Sequence, residues 1–188
     1  MGAAGRRPYD AQASREALLD AARTLFETRG YDATTIRDIG ARSRVDPALI
    51  ARYFGSKEGL YLAAISQAGP AALGGGDPLE FVERVLSRQE ARGIGPVARA
   101  AVSPTLSETV SRQVRDILAA RAVEPIASTL RERGVAEPEL RASIVVATAV
   151  GLSLAREGGA LPAVSRASTA ELVEAMVPAI RALTEDAA

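Results

Sequence analysis

Two helix-start signals stand close together in this chain and constrain its fold more than any other feature. Thr35-Ile36-Arg37-Asp38 has the hydroxyl-x-x-carboxylate spacing of a capping box, and Asp46-Pro47 offers an N-cap followed by a first-turn proline. Between them there is room for one short helix and a tight turn through Ser43, Arg44 and Val45. A second short helix then runs to Tyr53-Phe54, and Gly55-Ser56-Lys57-Glu58 opens a third. Ile36 and Ile39 are expected inward on the first, with Ile50 and Phe54, four apart, inward on the second. This is helix-turn-helix punctuation.

The rest of the chain is helical by the same reasoning. Ala, Leu, Glu and Arg dominate, and apolar residues recur every three to four positions, so the expected fold class is all-α with about nine helices. Ser14 is a plausible N-cap for a first helix carrying Leu18, Ala22, Leu25 and Phe26 on one face and ending at Gly30. The Gly- and Pro-rich stretch from Gly69 to Pro78 is the clearest loop. Beyond it the spacing predicts helices near Leu79–Ala91 and Pro96–Val102, a long one from about Thr105 to Arg133 kinked at Pro125, and two more from about Pro138 to Glu157 and Thr169 to Leu183.

Composition excludes much chemistry. The 188 residues contain no His and no Cys, so imidazole catalysis, a cysteine nucleophile and a Cys/His zinc site are absent; no catalytic residue, metal or cofactor is expected. No apolar stretch follows Arg6-Arg7, and the longest uncharged run, Ala142 to Ala155, is too short for a bilayer span of about 20 residues. A cytoplasmic protein without a membrane segment is expected. The net charge is zero, but residues 1–60 hold ten Lys+Arg against eight Asp+Glu, with six of the seven aromatics in the first 61 positions. The first third differs in kind from the rest.

On the second short helix, Pro47, Ala48, Leu49 and Arg52 point outward. An outward leucine has a use against DNA, where it can touch a thymine methyl while small neighbours permit close approach. Lys57, the single lysine, falls at a helix start, where its charge opposes the helix dipole unless a phosphate lies nearby. Arg37, Arg42 and Arg44 read as a solvated face of which some members touch phosphate.

Taken together, the Leu-Phe pair before Arg29-Gly30-Tyr31, the run Ala33-Thr34-Thr35-Ile36-Arg37-Asp38-Ile39, and Tyr53-Phe54-Gly55-Ser56-Lys57-Glu58-Gly59-Leu60 resemble the DNA-binding domain of tetracycline-repressor-type (TetR family) regulators over Ser14 to Ile65. The resemblance implies phosphate contacts from Thr35, Tyr53 and Lys57, joined here by Arg37 and Arg44, and base contacts from Pro47, Ala48, Leu49 and Arg52. Arg44 stands where the turn usually has Gly, and either strains the turn or adds a phosphate contact; Ala51 stands where an aromatic is common. Arg6 and Arg7 are candidates for a minor-groove arm.

The later helices match that family in layout, which implies a dimerising, ligand-sensing domain. From Pro138 onward, Leu140, Ile144, Ala147, Gly151 and Leu154 form one stripe of a helix apolar nearly all round. With Leu172, Met176 and Ile180 of the last helix, they are the expected homodimer interface across a two-fold axis. Gln113 and Thr148 are the candidate effector contacts. The expected organisation is a flexible basic arm over 1–13, a three-helix helix-turn-helix domain over 14–60 and a helical ligand-binding and dimerisation domain over 61–188. The expected function is a non-enzymatic, ligand-released repressor that binds a pseudo-palindromic double-stranded DNA operator as a homodimer and responds to a small-molecule effector. The alternative is a helical adaptor that kept the fold and binds a protein instead.

Overall fold

The computed structural model describes residues 11–67, 76–102 and 106–185. It divides into two compact units, Met1–Ile65 and Ser66–Ala188. All regular structure among the described residues is helical: α1 (Ala11–Arg29), α2 (Ile36–Ser43), α3 (Ala48–Phe54), α4 (Lys57–Gln67), α5 (Pro78–Arg92), α6 (Pro96–Ala101), α7 (Glu108–Leu118), a π-helical turn (Ala119–Val123), α8 (Glu124–Glu132), α9 (Pro138–Gly158), α10 (Pro162–Arg166) and α11 (Thr169–Thr184). The fold is all-α, as expected. The division between units falls inside α4 at Ile65, a few residues beyond the expected 60/61.

Two expectations about the start of the chain change. Ser14 lies inside α1 and is not its cap, because Ala11, Gln12 and Ala13 are already helical and Gln12 reaches Glu16 one turn on. The expected arm therefore loses residues 11–13 to α1, while Arg6 and Arg7 lie outside the described residues. The far end of α1 follows the sequence: Gly30 takes φ 79° and its N–H donates to the Phe26 carbonyl, stopping the helix after Arg29.

The N-terminal unit closes around Leu18, Ala22, Leu25, Phe26, Ile39, Ile50, Leu60, Tyr61 and Ile65, all buried. Phe26 meets Tyr61 edge-on at 4.8 Å between centroids and lies 6.0 Å from the Tyr31 ring, so these three aromatics form one cluster. Thr34, fully buried, donates its hydroxyl to the Gly30 carbonyl at 2.7 Å and fixes the chain between α1 and α2.

In the C-terminal unit, α5, α8, α9 and α11 share a core of Phe81, Val82, Leu86, Ile126, Leu130, Val145, Ala149, Leu172 and Ile180. Asp77 caps α5 by accepting from the Leu79 and Glu80 amides, and Ser107 caps α7. The single long helix predicted from Thr105 to Arg133 is α7, the π turn and α8 in succession. Proline has no N–H to donate to the carbonyl four residues back, so Pro125 cannot close an α-helical hydrogen bond onto Arg121, and the wider π turn sits at that point. α10, not expected from spacing, is short and starts at Pro162.

The 21-residue α9 is long and apolar enough to cross a membrane, but here it packs on α5, α8, α10 and α11 as the central helix of this unit. A cavity of about 50 Å³ lies within the unit, lined by α5, the α5–α6 link, α6, Arg121 and Ser153.

Candidate nucleic-acid interface

The corner between α2 and α3 is built by local hydrogen bonds. Thr35 caps α2: its hydroxyl accepts from the Asp38 amide at 3.1 Å, and the Asp38 carboxylate accepts from the Thr35 amide at 3.0 Å and the Thr35 hydroxyl at 2.6 Å. These hydrogen bonds from Thr35, side chain first and backbone second, hold the Asp38 carboxyl below the usual carboxylate range. Asp46 opens α3 by accepting from the Ala48 amide at 2.9 Å, and Ser56 opens α4 by accepting from the Gly59 amide at 3.0 Å.

Arg44 occupies the left-handed region at φ 57° and ψ 30°, while its amide donates to the Gly40 carbonyl to end α2. A non-glycine residue there costs of order 1 kcal/mol. The turn is therefore strained where glycine would relax it, and the Arg44 side chain stands exposed. A second requirement was not visible in the spacing. A Cβ on Gly40 would lie 2.8 Å from Pro47 Cδ and 3.1 Å from the Val45 carbonyl oxygen, so α2 and the start of α3 approach closely because position 40 has no side chain.

Of the residues predicted to read bases, Ala48 and Arg52 are exposed and Leu49 half-buried, while half-buried Pro47 packs its ring toward Gly40. Among the predicted phosphate contacts, Arg37 and Arg44 are exposed and Tyr53 is half-buried, its ring edge-on to Phe54. Both Thr35 donors are committed to Asp38 in this conformation. Ile36, expected inward, is 43 % exposed because it is the first residue of α2 and faces out over the Thr35 end; Ile39 is fully buried.

Lys57 is more sheltered than its place at a helix start suggested. Its Nζ lies 4.0 Å from the centroid of the Tyr31 ring, and burial pushes its pKa down against the opposing pull of Asp32. On the other side of the corner, the Arg15 guanidinium covers the Phe54 ring at 5.0 Å. Neither ring was legible from the spacing as a partner for a cation, although the early clustering of aromatics was the signal that could have led to them.

In the C-terminal unit, the stripe on α9 faces outward: Leu140 is 55 % exposed, Ile144 40 % exposed, and Ala147 and Gly151 are exposed. Leu154 is half-buried. Nothing lies within 4 Å of a Cβ built on Gly151. Leu172 and Ile180 do not share this face. They are buried in the protomer's own core, because α11 turns that side onto α5; Met176 packs partly against the same core. Gln113 is exposed and Thr148 returns its hydroxyl to the Ile144 carbonyl at 2.8 Å, and neither lines the cavity.

Residues 18–64 match the family of bacterial regulatory proteins called tetR, and residues 78–183 match the tetracyclin repressor-like C-terminal domain, which alone covers more than half of the chain. The chain belongs to the tetR family. Its members are described as bacterial regulatory proteins, and the capped α2–α3 corner, within the matched residues 18–64, is the helix-turn-helix.

This tetR-family chain is 43% identical over 75 residues to an HTH-type transcriptional repressor of Mycobacterium tuberculosis, Rv3405c, across 38% of the chain and 40% of the relative. An HTH-type transcriptional regulator of Mycobacterium bovis, Mb3439c, matches to the same extent. The match thus spans about two-fifths of these curated relatives' length. A TetR-family transcriptional regulator from Agrobacterium tumefaciens has a similar structure, with a TM-score of 0.70 and 25% identity over 94% of this chain and 100% of that one. A TetR-family regulator from Streptomyces coelicolor aligns over 97% of this chain and 99% of that one, with a TM-score of 0.53 and 29% identity.

Proposed function

We propose that the chain is a DNA-binding transcriptional repressor that acts in the cytoplasm as a homodimer, placing α3 of each protomer in successive major grooves of a pseudo-palindromic operator. The observation that carries this reading is the α2–α3 corner, which leaves Ala48 and Arg52 exposed and Leu49 half-exposed beside the exposed cations Arg37 and Arg44. Leu49 and Arg52 supply base preference, Ala48 and Pro47 permit close approach, and Arg37, Arg44, Tyr53 and Lys57 supply phosphate affinity. Thr35 joins them by turning its hydroxyl donor from Asp38 to a phosphate oxygen, and Lys57 by lifting from the Tyr31 ring. Arg6 and Arg7 extend the contact into the minor groove.

The dimer is assigned to the outward stripe of α9, where Leu140, Ile144, Ala147 and Gly151 leave an apolar surface open on the protomer. α11 contributes through the residues it leaves exposed, Ala175, Pro178 and Ala179, in place of Leu172 and Ile180. A small-molecule effector bound in the C-terminal unit releases the operator by favouring a dimer that spans the half-sites poorly.

Selection of bound sequences from a random duplex pool at low salt tests the reading. Enrichment of a palindrome with half-sites about one helical turn apart is the expected result. Recovery of no motif would instead favour a protein-binding adaptor, the reading suggested by Arg44 and Ala51 at positions where the family usually has other residues.

A further inference from the structure

The two units compensate their positive charges differently. In the C-terminal unit Arg84, Arg99, Arg115, Arg131, Arg133 and Arg156 each face a carboxylate oxygen at 3.8 Å or less. In the N-terminal unit Arg15 has no hydrogen bond or ion pair among the described residues, and its guanidinium instead meets the face of Phe54, 5.0 Å from the ring centroid. The acid next to it in sequence, Glu16, is taken up by Gln12. Lys57 repeats the arrangement on the other side of the corner, with its ammonium over Tyr31.

A carboxylate neutralises a guanidinium and occupies its in-plane N–H groups, whereas a ring face beneath it takes neither the charge nor the donors. Arg15 is also half-buried, so Phe54 limits the directions its long side chain can take, and less rotamer freedom is left to lose when an acceptor arrives. Its place in the fold narrows what that acceptor is. Arg15 stands near the start of α1, yet Phe54 is the last residue of α3, the helix assigned above to the major groove. The Phe54 ring meets the Tyr53 ring edge-on with 6.4 Å between centroids, so the guanidinium lies at the end of α3 that carries Tyr53.

We propose that Arg15 is a further phosphate contact, delivered from α1 to the DNA backbone beside Tyr53 with Phe54 as its platform. The assignment rests on the reading of α3 as the recognition helix, and it brings α1 into the interface alongside α2, α3 and the start of α4. The planar fork meets the free oxygens of one phosphate through two N–H groups, while the ring continues to hold its face. A backbone contact of this kind adds affinity and register without base preference.

Titration of the full-length protein with labelled duplexes across a salt series provides the test, using the duplex recovered by selection and a scrambled duplex of equal length. Arg15→Met keeps an unbranched apolar cover on Phe54 and a good helix former, and removes the charge. It should weaken both duplexes by a similar factor, about tenfold at low salt, and reduce the slope of log K against log salt by about 1 per protomer. Arg15→Gln should lower the slope equally, and Arg15→Lys should preserve it while losing about threefold in affinity with the fork. Circular dichroism confirms that each variant is folded. A slope that neither neutral variant changes reduces Arg15 to a cover for Phe54 and overturns the proposal. So does a loss confined to the selected duplex, which would mean that Arg15 acts through the pose of α3, or a lysine variant whose slope falls as far as that of methionine. Wild-type protein that binds neither duplex overturns the DNA-binding reading together with this assignment.

Discussion

The two units hold their helices in place by different means. In the N-terminal unit, α2 has eight residues and α3 seven, too few to be stable in isolation, and each is started or stopped by its own residues: Thr35 with Asp38, Arg44 at positive φ, then Asp46, Gly55 and Ser56. In the C-terminal unit, the 15-residue α5, the 21-residue α9 and the 16-residue α11 are fixed by a shared apolar core. Local signals can thus specify a reading head residue by residue. A bundle fixed by burial is specified as a whole, and its outer surface is left free for other uses.

The largest expected effect breaks the first unit alone. Gly40→Val places methyl groups where even a Cβ would be 2.8 Å from Pro47, so the corner must open at a cost of about 1–3 kcal/mol. Operator binding should be lost by more than tenfold in a gel-shift titration, while sedimentation still finds the dimer. If binding survived, the close approach of α2 and α3 would not be what presents the reading helix.

That contrast also explains what was legible in the sequence. The capping box at Thr35, the start at Asp46 and the stop at Gly30 are local chemistry, and each could be read from a few adjacent residues. Ile36 was misplaced because periodicity assigns a face but not the point at which a helix leaves its core. Leu172 and Ile180 were misplaced for a related reason: apolar spacing marks a buried face without saying whether the same chain or a second copy buries it. The cavity gave no signal at all, since it arises where α5, α6, the π turn and α9 meet, and contacts so far apart in sequence have no period.

The second prediction breaks the other unit. Gly151 sits on the open face of α9, where a Cβ at this position would have nothing within 4 Å, so Gly151→Leu costs the protomer nothing in packing and gains up to about 1 kcal/mol of helix propensity. At a closely crossing dimer seam the same side chain cannot be accommodated. Sedimentation should therefore report monomers whose helical content by circular dichroism is retained. A dimer of normal affinity would move the interface off this stripe.

A third substitution sharpens the comparison within the head. Lys57→Ala should weaken binding to every duplex by a similar factor and reduce the slope of log K against log salt by about 1, as expected for one phosphate contact. Tyr31→Leu removes the ring beneath the ammonium and leaves the charge in place. It should therefore preserve the salt slope while changing affinity only modestly. Leu49→Ala should behave in the opposite way, changing preference at particular base pairs with the salt slope intact. Should Lys57→Ala leave the slope unchanged, the lysine remains on Tyr31 in the complex.

The smallest effect compares one device present in both units. Ser168 and Glu171 form a capping box at the start of α11 just as Thr35 and Asp38 do at α2, and hydrogen bonds from the capping residue lower the pKa of each carboxyl. A folded-state pKa below the unfolded value means that the cap's contribution is complete above the unfolded pKa and is lost as pH falls through the folded one. Acidification from neutral to below about 4 should therefore loosen both caps. The consequence differs because α11 has buried Leu172 and Ile180 to hold it, whereas α2 buries only Ile39 and Gly40. Amide exchange at Asp38 and Ile39 should accelerate at a higher pH than exchange in the middle of α11, and Asp38→Asn should make the α2 amides exchange faster already at neutral pH. Simultaneous loss of protection in both helices would mean that α2 is held by the whole unit and not by its cap.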